Sequence, residues 1–158
     1  MVNLTAIALA GTLFSMIDFQ GHALNLLFGQ PNDGTVVIGE NMLDPVEVEV
    51  DQVWALVATT TSGQFTIMNP FNNKSLSYAG GLVQLTHAQA TVNSIPRAFN
   101  FILAAPPQTF NILDVDSGMA LTAWTMSSFR AGGDSTPVTY EFLELGAIDQ
   151  MWTLVTRS

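Results

Sequence analysis

The feature that most constrains this chain is a short segment that occurs twice. Residues 51–57 read DQVWALV, and residues 149–155, 98 positions later, read DQMWTLV. Three further segments also begin alike: FSMIDFQGHALNL from Phe14, FTIMNPFNNKSLSY from Phe65 and FNILDVDSGMALTA from Phe110. Each has a Phe, an alternating apolar strand, a polar turn and a second strand. Starts that lie 51 and 45 residues apart indicate three copies of one structural unit.

Each opening pair of strands is followed by two more predicted strands. The third strands are GTVVIGE, LVQLTHA and TPVTYEFLEL, and the fourth strands are QVWALVA, AFNFILA and QMWTLVT. The sequence therefore predicts one all-β domain of twelve strands, in three four-stranded repeats with pseudo-threefold symmetry. We place unit one at about residues 11–60, unit two at 61–105 and unit three at 106–158.

A four-stranded unit of this size cannot bury its own apolar face. Three such units around an axis can close a barrel that leaves no sheet edge free. The last strand of each unit carries an aromatic residue at the same position, namely Trp54, Phe99 and Trp152. We expect these three side chains to form an aromatic layer in the common core.

Charge and composition exclude several classes of partner and chemistry. The net charge is −9, with only four Lys and Arg residues, which argues against nucleic acid or an anionic membrane surface as a partner. The chain has no cysteine, so thiol chemistry and disulfides are excluded. The apolar N-terminal stretch lacks the basic residues of a signal peptide, and we expect a cytoplasmic protein, with export by another route left open.

Two Gln-x-Trp motifs, Gln52–Trp54 and Gln150–Trp152, follow the predicted third strands. With the F-x-I…L openings, they make residues 11–156 resemble the ricin B-type β-trefoil lectins. The resemblance is greatest to small fungal members, which include the lectin-like light subunit of mushroom tyrosinase and a mannose-binding mushroom protein. It implies a β-trefoil fold with a shallow sugar site in each unit.

In that family a polar side chain follows the second-strand Leu, an aromatic residue on the third strand stacks on the sugar, and Asp or Asn precedes the motif Gln. Unit one retains Asn25 and Asp51, but its aromatic position falls near Gly39. Unit three has Thr122 in the first position and retains the other two as Tyr140 and Asp149. The resemblance thus predicts four sugar contacts, Asn25, Asp51, Tyr140 and Asp149, and four structural residues, Gln52, Trp54, Gln150 and Trp152.

Unit two departs from the family pattern. Ser77 replaces the carboxylate, Thr86 or His87 stands at the aromatic position, and Pro96–Arg97 replaces the pair before the Trp. We therefore expect the sugar site of unit two to be degenerate.

Other candidate chemistry is weak. The segment DVDSG from Asp114 resembles the start of a calcium loop, but its twelfth position is Thr125 and not the required Glu, so a hairpin turn is expected. His22 and His87 lie in different units, and no Gly-x-Ser-x-Gly motif occurs. We predict no catalytic residue, no metal and no cofactor.

The sequence thus favours a carbohydrate-binding, lectin-like protein without catalytic activity, with mannose-type glycans as the expected ligand. One alternative is a non-catalytic accessory subunit, as in the tyrosinase complex, whose sugar sites have degenerated and whose surface packs on a protein partner or on a second copy. Another is a β-trefoil protease inhibitor that acts through a loop such as Ala131 to Thr136.

Overall fold

The computed structural model describes residues 12–42, 50–80, 87–125 and 135–157. This part of the chain consists of β-strands and short 3-10 turns, and none of its elements is a helix long and apolar enough to cross a membrane. The strands are β1 Leu13–Ile17, β2 His22–Leu26, β3 Val37–Asn41, β4 Trp54–Ala58, β5 Gln64–Asn69, β6 Lys74–Ser77, β7 Ala88–Gln89, β8 Thr91–Asn93, β9 Phe99–Ala105, β10 Thr109–Asp114, β11 Ala120–Ala123, β12 Thr136–Glu141 and β13 Trp152–Arg157. The 3-10 turns are Leu27–Gly29, Val50–Gln52 and Ile148–Gln150.

Six strands close a barrel, with two strands contributed by each unit. Going round the barrel, β1 pairs with β4, β4 with β5, β5 with β9, β9 with β10, β10 with β13, and β13 with β1, all antiparallel. Within each unit the Phe of the first strand pairs with the aromatic residue of the last strand: Phe14 with Trp54, Phe65 with Phe99, and Phe110 with Trp152. Identical pairing in three units confirms the predicted pseudo-threefold fold.

The second and third strands of each unit form hairpins, and contacts between the hairpins gather around Ala90. These hairpins are β2–β3, β6–β8 and β11–β12. The Ala90 N–H donates to the Val138 carbonyl, and its own carbonyl accepts from the Val37 N–H, both at 2.9 Å. One small, fully buried residue of unit two therefore connects the hairpins of units one and three.

The predicted aromatic layer lies in the core. Trp54, Phe99 and Trp152 are completely buried, and the three opening Phe residues are buried around them. The indole N–H of Trp54 donates to the Leu24 carbonyl, and that of Trp152 donates to the Leu121 carbonyl, each at 2.9 Å. The polar atom of each buried ring is therefore satisfied by the second strand of its own unit.

Each unit contributes four strands, as predicted, and the third strand of unit two is described only in part. The prediction placed it at LVQLTHA, residues 82–88, of which residues 82–86 lie outside the described part. In the described part this strand runs as β7 and β8 on either side of Ala90, which is why thirteen segments are named. Among the described residues the strand extends past the predicted segment as far as Asn93, because Gln89 pairs with β12 and Thr91 and Val92 pair with β6.

Candidate functional site

Strand register defines one equivalent surface position in each unit. The second-strand leucines Leu24, Leu76 and Leu121 pair with Gly39, Val92 and Tyr140 on the third strands. The residue after each leucine is Asn25, Ser77 or Thr122, which the resemblance placed in the sugar sites. In units two and three a cavity lies at this position, and the two cavities differ in chemistry.

The unit-three pocket is a cavity of about 270 Å³. The second strand and the residues after it form one wall, and two carboxylates face it: Asp149 from the 3-10 turn before β13 and Glu141 from the end of β12. Half-buried Trp124 supplies an aromatic ring. The pocket therefore combines hydrogen-bond acceptors with one apolar surface, and its residues are Thr122, Ala123, Trp124, Thr125, Glu141 and Asp149.

A chain of hydrogen bonds fixes the aromatic ring and one carboxylate of this pocket. The Trp124 indole N–H donates to Thr139 Oγ1 at 2.9 Å, and the Thr139 hydroxyl donates to Glu141 Oε1 at 2.6 Å. His87 Nδ1 lies 2.5 and 2.6 Å from the two Glu141 oxygens, and its ring packs edge-on against Trp124 with centroids 5.7 Å apart. His87 belongs to unit two, so the unit-three pocket is completed across a unit boundary.

The motif Gln of unit three holds the loop beside the pocket. Gln150 is buried; its Nε2 donates to the Phe142 carbonyl at 2.8 Å, and its Oε1 accepts from the Glu144 N–H at 2.8 Å. Its Nε2 also lies 3.3 Å from Thr122 Oγ1. Gln150 thereby fixes the loop that leads into Asp149.

The structure corrects the expectation for Tyr140. This side chain is fully buried, its hydroxyl donates to the Ser77 carbonyl at 3.2 Å, and its ring packs on Tyr78 and Phe99. Its ring therefore has no face to offer a surface ligand. Side chains alternate along a strand, so when Tyr140 points inward its neighbours Thr139 and Glu141 point to the pocket side.

In unit one, Asn25 and Asp51 occupy the expected positions. Asn25 is buried, and its Nδ2 donates to the Leu26 carbonyl at 3.3 Å. Asp51 is half-buried and packs against Gly29, where an added Cβ would collide with its carboxylate. Gly39 is as closely packed, because a Cβ there would meet Thr136 Oγ1 at 2.7 Å. A third-strand aromatic ring therefore has no room at this position.

Gln52 plays the same structural part in unit one as Gln150 in unit three. It is buried, and its Nε2 donates to the Asn41 carbonyl at 2.9 Å, at the end of the third strand. This hydrogen bond ties the 3-10 turn Val50–Gln52 to the end of β3.

In unit two, the residues expected to make the site degenerate line a larger cavity of about 510 Å³. Ser77, Pro96 and Arg97 are among its lining residues, and Thr86 lies outside the described part. The guanidinium of Arg97 thus lies where the other units have a Gln side chain.

The remaining candidate chemistry has structural explanations. His22 Nδ1 lies 3.3 Å from Thr136 Oγ1 and 3.9 Å from Asp18 Oδ2. A catalytic triad needs the carboxylate on one ring nitrogen and the hydroxyl on the other, whereas both contacts of His22 use the same nitrogen. Residues Asp114 to Gly118 make a turn closed by the Gly118 N–H on the Asp114 carbonyl at 2.8 Å. Among the described residues, no group of three or more His, Asp or Glu side chains is placed to hold a metal ion.

Sequence reasoning missed Trp124, Glu141 and His87 as pocket residues. The signal for Trp124 was present, because it is the tryptophan outside the two Gln-x-Trp motifs and stands two residues after Thr122, directly beyond the second strand. The signal for Glu141 was its place one residue after Tyr140, on the opposite face of β12. His87 could not be found this way, because it reaches the pocket from another unit.

No family model and no curated protein matches the sequence. Solved structures do match: the Rhizoctonia solani agglutinin has a TM-score of 0.75 at 19% identity, covering 93% of this chain and 96% of its own. The Macrolepiota procera ricin B-like lectin in complex with lactose has a TM-score of 0.71 at 17% identity, covering 95% and 98%.

A designed threefold-symmetric protein, ThreeFoil, has a TM-score of 0.73 at 18% identity, covering 90% of this chain and 97% of its own. All three matches span nearly the full length of both chains. Because the sequence identities are below 20%, the matches establish the fold alone. The resemblance inferred from the Gln-x-Trp motifs is thereby confirmed at the level of architecture: this chain is a β-trefoil of the kind found in ricin B-like lectins.

Proposed function

We propose that this chain is a carbohydrate-binding protein without catalytic activity, and that the unit-three pocket takes a neutral hexose of a glycan. The main observation in support of this proposal is that Asp149, Glu141 and Trp124 lie around one small cavity. Mannose-type glycans are the first class to test, as the sequence resemblance implies, and galactose-type glycans are the second, because lactose occupies the Macrolepiota lectin.

The chemistry of the pocket suits a sugar. Carboxylates accept hydrogen bonds from hydroxyl groups, and such charge-assisted bonds are stronger than neutral ones. An indole presents an apolar face to the C–H groups of a pyranose ring while its N–H is satisfied elsewhere, here by Thr139. Because Trp124 and Glu141 are already fixed by Thr139 and His87, ordering them on binding costs little entropy.

The same contacts favour binding over catalysis. Glycoside hydrolysis requires a carboxylic acid that delivers its proton to the glycosidic oxygen. The oxygens of Glu141 are instead engaged by His87 and Thr139, which suits a fixed acceptor. We therefore assign Glu141 a binding role beside Asp149, and we assign Asn25 and Asp51 to a weaker site in unit one.

A glycan array followed by calorimetry tests the proposal. Asp149→Asn should weaken the best ligand about tenfold or more, since it replaces a charge-assisted acceptor by a neutral amide of the same shape. The matched control is Asp51→Asn, the equivalent change in unit one, which should have a smaller effect. If no glycan binds, or if Asp149→Asn binds as well as the parent protein, the proposal is wrong.

A second candidate function, contact with another protein chain, is supported by the loop beside the pocket. Phe142, Leu145 and Ile148 project from it, and Leu145 is 81% exposed. Gln150 holds this loop in place, so these apolar side chains stay at the surface instead of collapsing onto the core. Sedimentation of the parent protein and of Leu145→Ser tests self-association. If the parent protein sediments as a monomer at every concentration, this surface does not bind a second copy, and the partner must be a different chain.

A further inference from the structure

The unit-two pocket carries a guanidinium group, whereas the ionisable side chains of its unit-three equivalent are carboxylates. Unit three carries Asp149 before its motif Gln, whereas unit two carries Pro96 followed by Arg97. Pro96 and Arg97 line the unit-two cavity and Asp149 lines the unit-three cavity, at equivalent positions of the fold. A guanidinium has five N–H donors and no acceptor, so this substitution changes which ligand groups the pocket can satisfy.

The guanidinium of Arg97 is held rigidly. Its Nε donates to Ser77 Oγ at 3.2 Å, one terminal nitrogen donates to the Tyr78 hydroxyl at 2.9 Å, and the other donates to the Gly80 carbonyl at 2.8 Å. The group also stacks on the Tyr78 ring, 3.7 Å from its centroid. The Tyr78 hydroxyl in turn donates to buried Asp114 at 2.8 Å, which fixes the ring.

Two N–H groups of Arg97 have no acceptor in the part of the chain that the structure describes, and they remain for a ligand. Among the described residues, the three hydrogen bonds above use one donor on each nitrogen, which leaves one on each terminal nitrogen. The carboxylate of Asp116 lies 3.8 Å from one of these nitrogens, too far for a hydrogen bond, and its side chain is 80% exposed. The position of Asp116 thus shows where the guanidinium attracts a carboxylate. Because this ion pair is exposed and weak, a ligand carboxylate can displace Asp116 from it.

The rest of the pocket suits a sugar ring. Ile95 and Pro96 line it with apolar surface, and Ser77 and Asn93 add polar side chains. Among the basic side chains that the structure describes, Lys74 is engaged by Asp33 and Ser94, and Arg157 by Ser15. Arg97 is hydrogen-bonded too, but its guanidinium also lines an open cavity, in a chain of net charge −9.

We propose that the unit-two pocket is a second binding site, selective for an acidic sugar, in which Arg97 receives the ligand carboxylate through its two remaining N–H groups. Arginine is suited to this task because two parallel N–H groups match the two oxygens of a carboxylate. The site does not depend on the unit-three pocket, and the two can be tested separately.

The test compares two ligands that differ at one carbon, methyl β-D-glucuronoside and methyl β-D-glucoside, by calorimetry on the full chain. We expect the glucuronoside to bind at least about fivefold more tightly, because charge-assisted bonds to a carboxylate are the stronger ones. Arg97→Gln, which installs the residue of the other two units, should abolish this preference. Equal affinity for the two glycosides, or a preference that survives in a folded Arg97→Gln protein, overturns the proposal.

Two further variants complete the design. Asp116→Asn removes the competing carboxylate and should tighten glucuronoside binding; unchanged or weaker binding contradicts the proposal even if Arg97→Gln does not fold. Asp149→Asn should leave glucuronoside binding unchanged while neutral-glycan binding weakens about tenfold or more. This last variant separates failure of the acidic-sugar site from failure of the unit-three site.

Discussion

Units two and three have the same interior and different surfaces. In both, the Phe of the first strand pairs with an aromatic residue of the last strand, and that residue is completely buried. At the surface, unit three offers the carboxylates of Asp149 and Glu141, whereas unit two offers the guanidinium of Arg97. The interior is constrained by packing around one axis, and the surface position is free to change its chemistry.

The largest expected effect comes from the shared interior. Trp152→Ala should lower the free energy of unfolding by about 3–5 kcal/mol, because it empties a large core volume and leaves the Leu121 carbonyl without its indole donor. Trp152→Phe, which copies unit two at Phe99, should cost clearly less. Urea denaturation measures both, and equal losses would contradict the equivalence of the two interiors.

The two tyrosines, one from each unit, meet in the core and resist ionisation. Burial, followed by the hydrogen bond to Asp114, raises the pKa of Tyr78 to about 12, and burial raises the pKa of Tyr140 well above 10. An unfolded tyrosine ionises near pH 10, so the folded chain binds more protons above that pH.

Stability that depends on the tyrosines should therefore be complete below pH 10 and fall as the pH rises beyond it. Absorbance at 295 nm should show neither of the two tyrosines ionised at pH 10.5 in the folded protein, with ionisation accompanying unfolding. Normal titration of either residue in the folded protein would contradict the described packing.

The hydrogen-bond chain of the unit-three pocket should have an intermediate effect. Thr139→Val keeps the side-chain shape but removes the hydroxyl that joins Trp124 to Glu141. We expect affinity for the best neutral glycan to fall about three- to tenfold, corresponding to about 1 kcal/mol for one network bond. The control is Thr109→Val, which removes a hydroxyl hydrogen-bonded to Thr153 and should leave glycan affinity unchanged.

The smallest effect is expected at an exposed ion pair. Lys74 donates to Asp33 at 2.7 Å, and this hydrogen bond, with help from Ser94, lowers the pKa of Asp33. Lys74→Met should raise that pKa, observable by carboxyl carbon NMR, while thermal stability near neutral pH changes little. Stability linked to Asp33 is present above the unfolded pKa near 3.9 and is lost as the pH falls. An unchanged Asp33 pKa would contradict the pairing.

The fold could be predicted from sequence because its determinants repeat. Trp54 and Trp152 are large, buried and placed identically in their units, so two short motifs revealed the symmetry. The pocket could be predicted only in part. The position of Asp149 followed from the motif, but the expectation for Tyr140 failed because a strand shows one side chain inward and the next outward, and the aromatic residue took the inward place.

Contacts between units were beyond the reach of the sequence. His87 meets Glu141 across 54 positions of the chain, and Tyr140 meets Ser77 across 63. No local pattern encodes such pairs. The repeat thus predicted the scaffold, and the chemistry of each pocket depends on residues that break the repeat.

The central claim, that the unit-three pocket is the neutral-glycan site, is tested most directly by the three indole N–H signals in a proton–nitrogen NMR spectrum. Trp54 and Trp152 are completely buried, whereas Trp124 lines the pocket. Titration with the best glycan should shift the Trp124 signal and leave the other two in place. Saturating glycan that leaves the Trp124 signal unmoved would contradict the account.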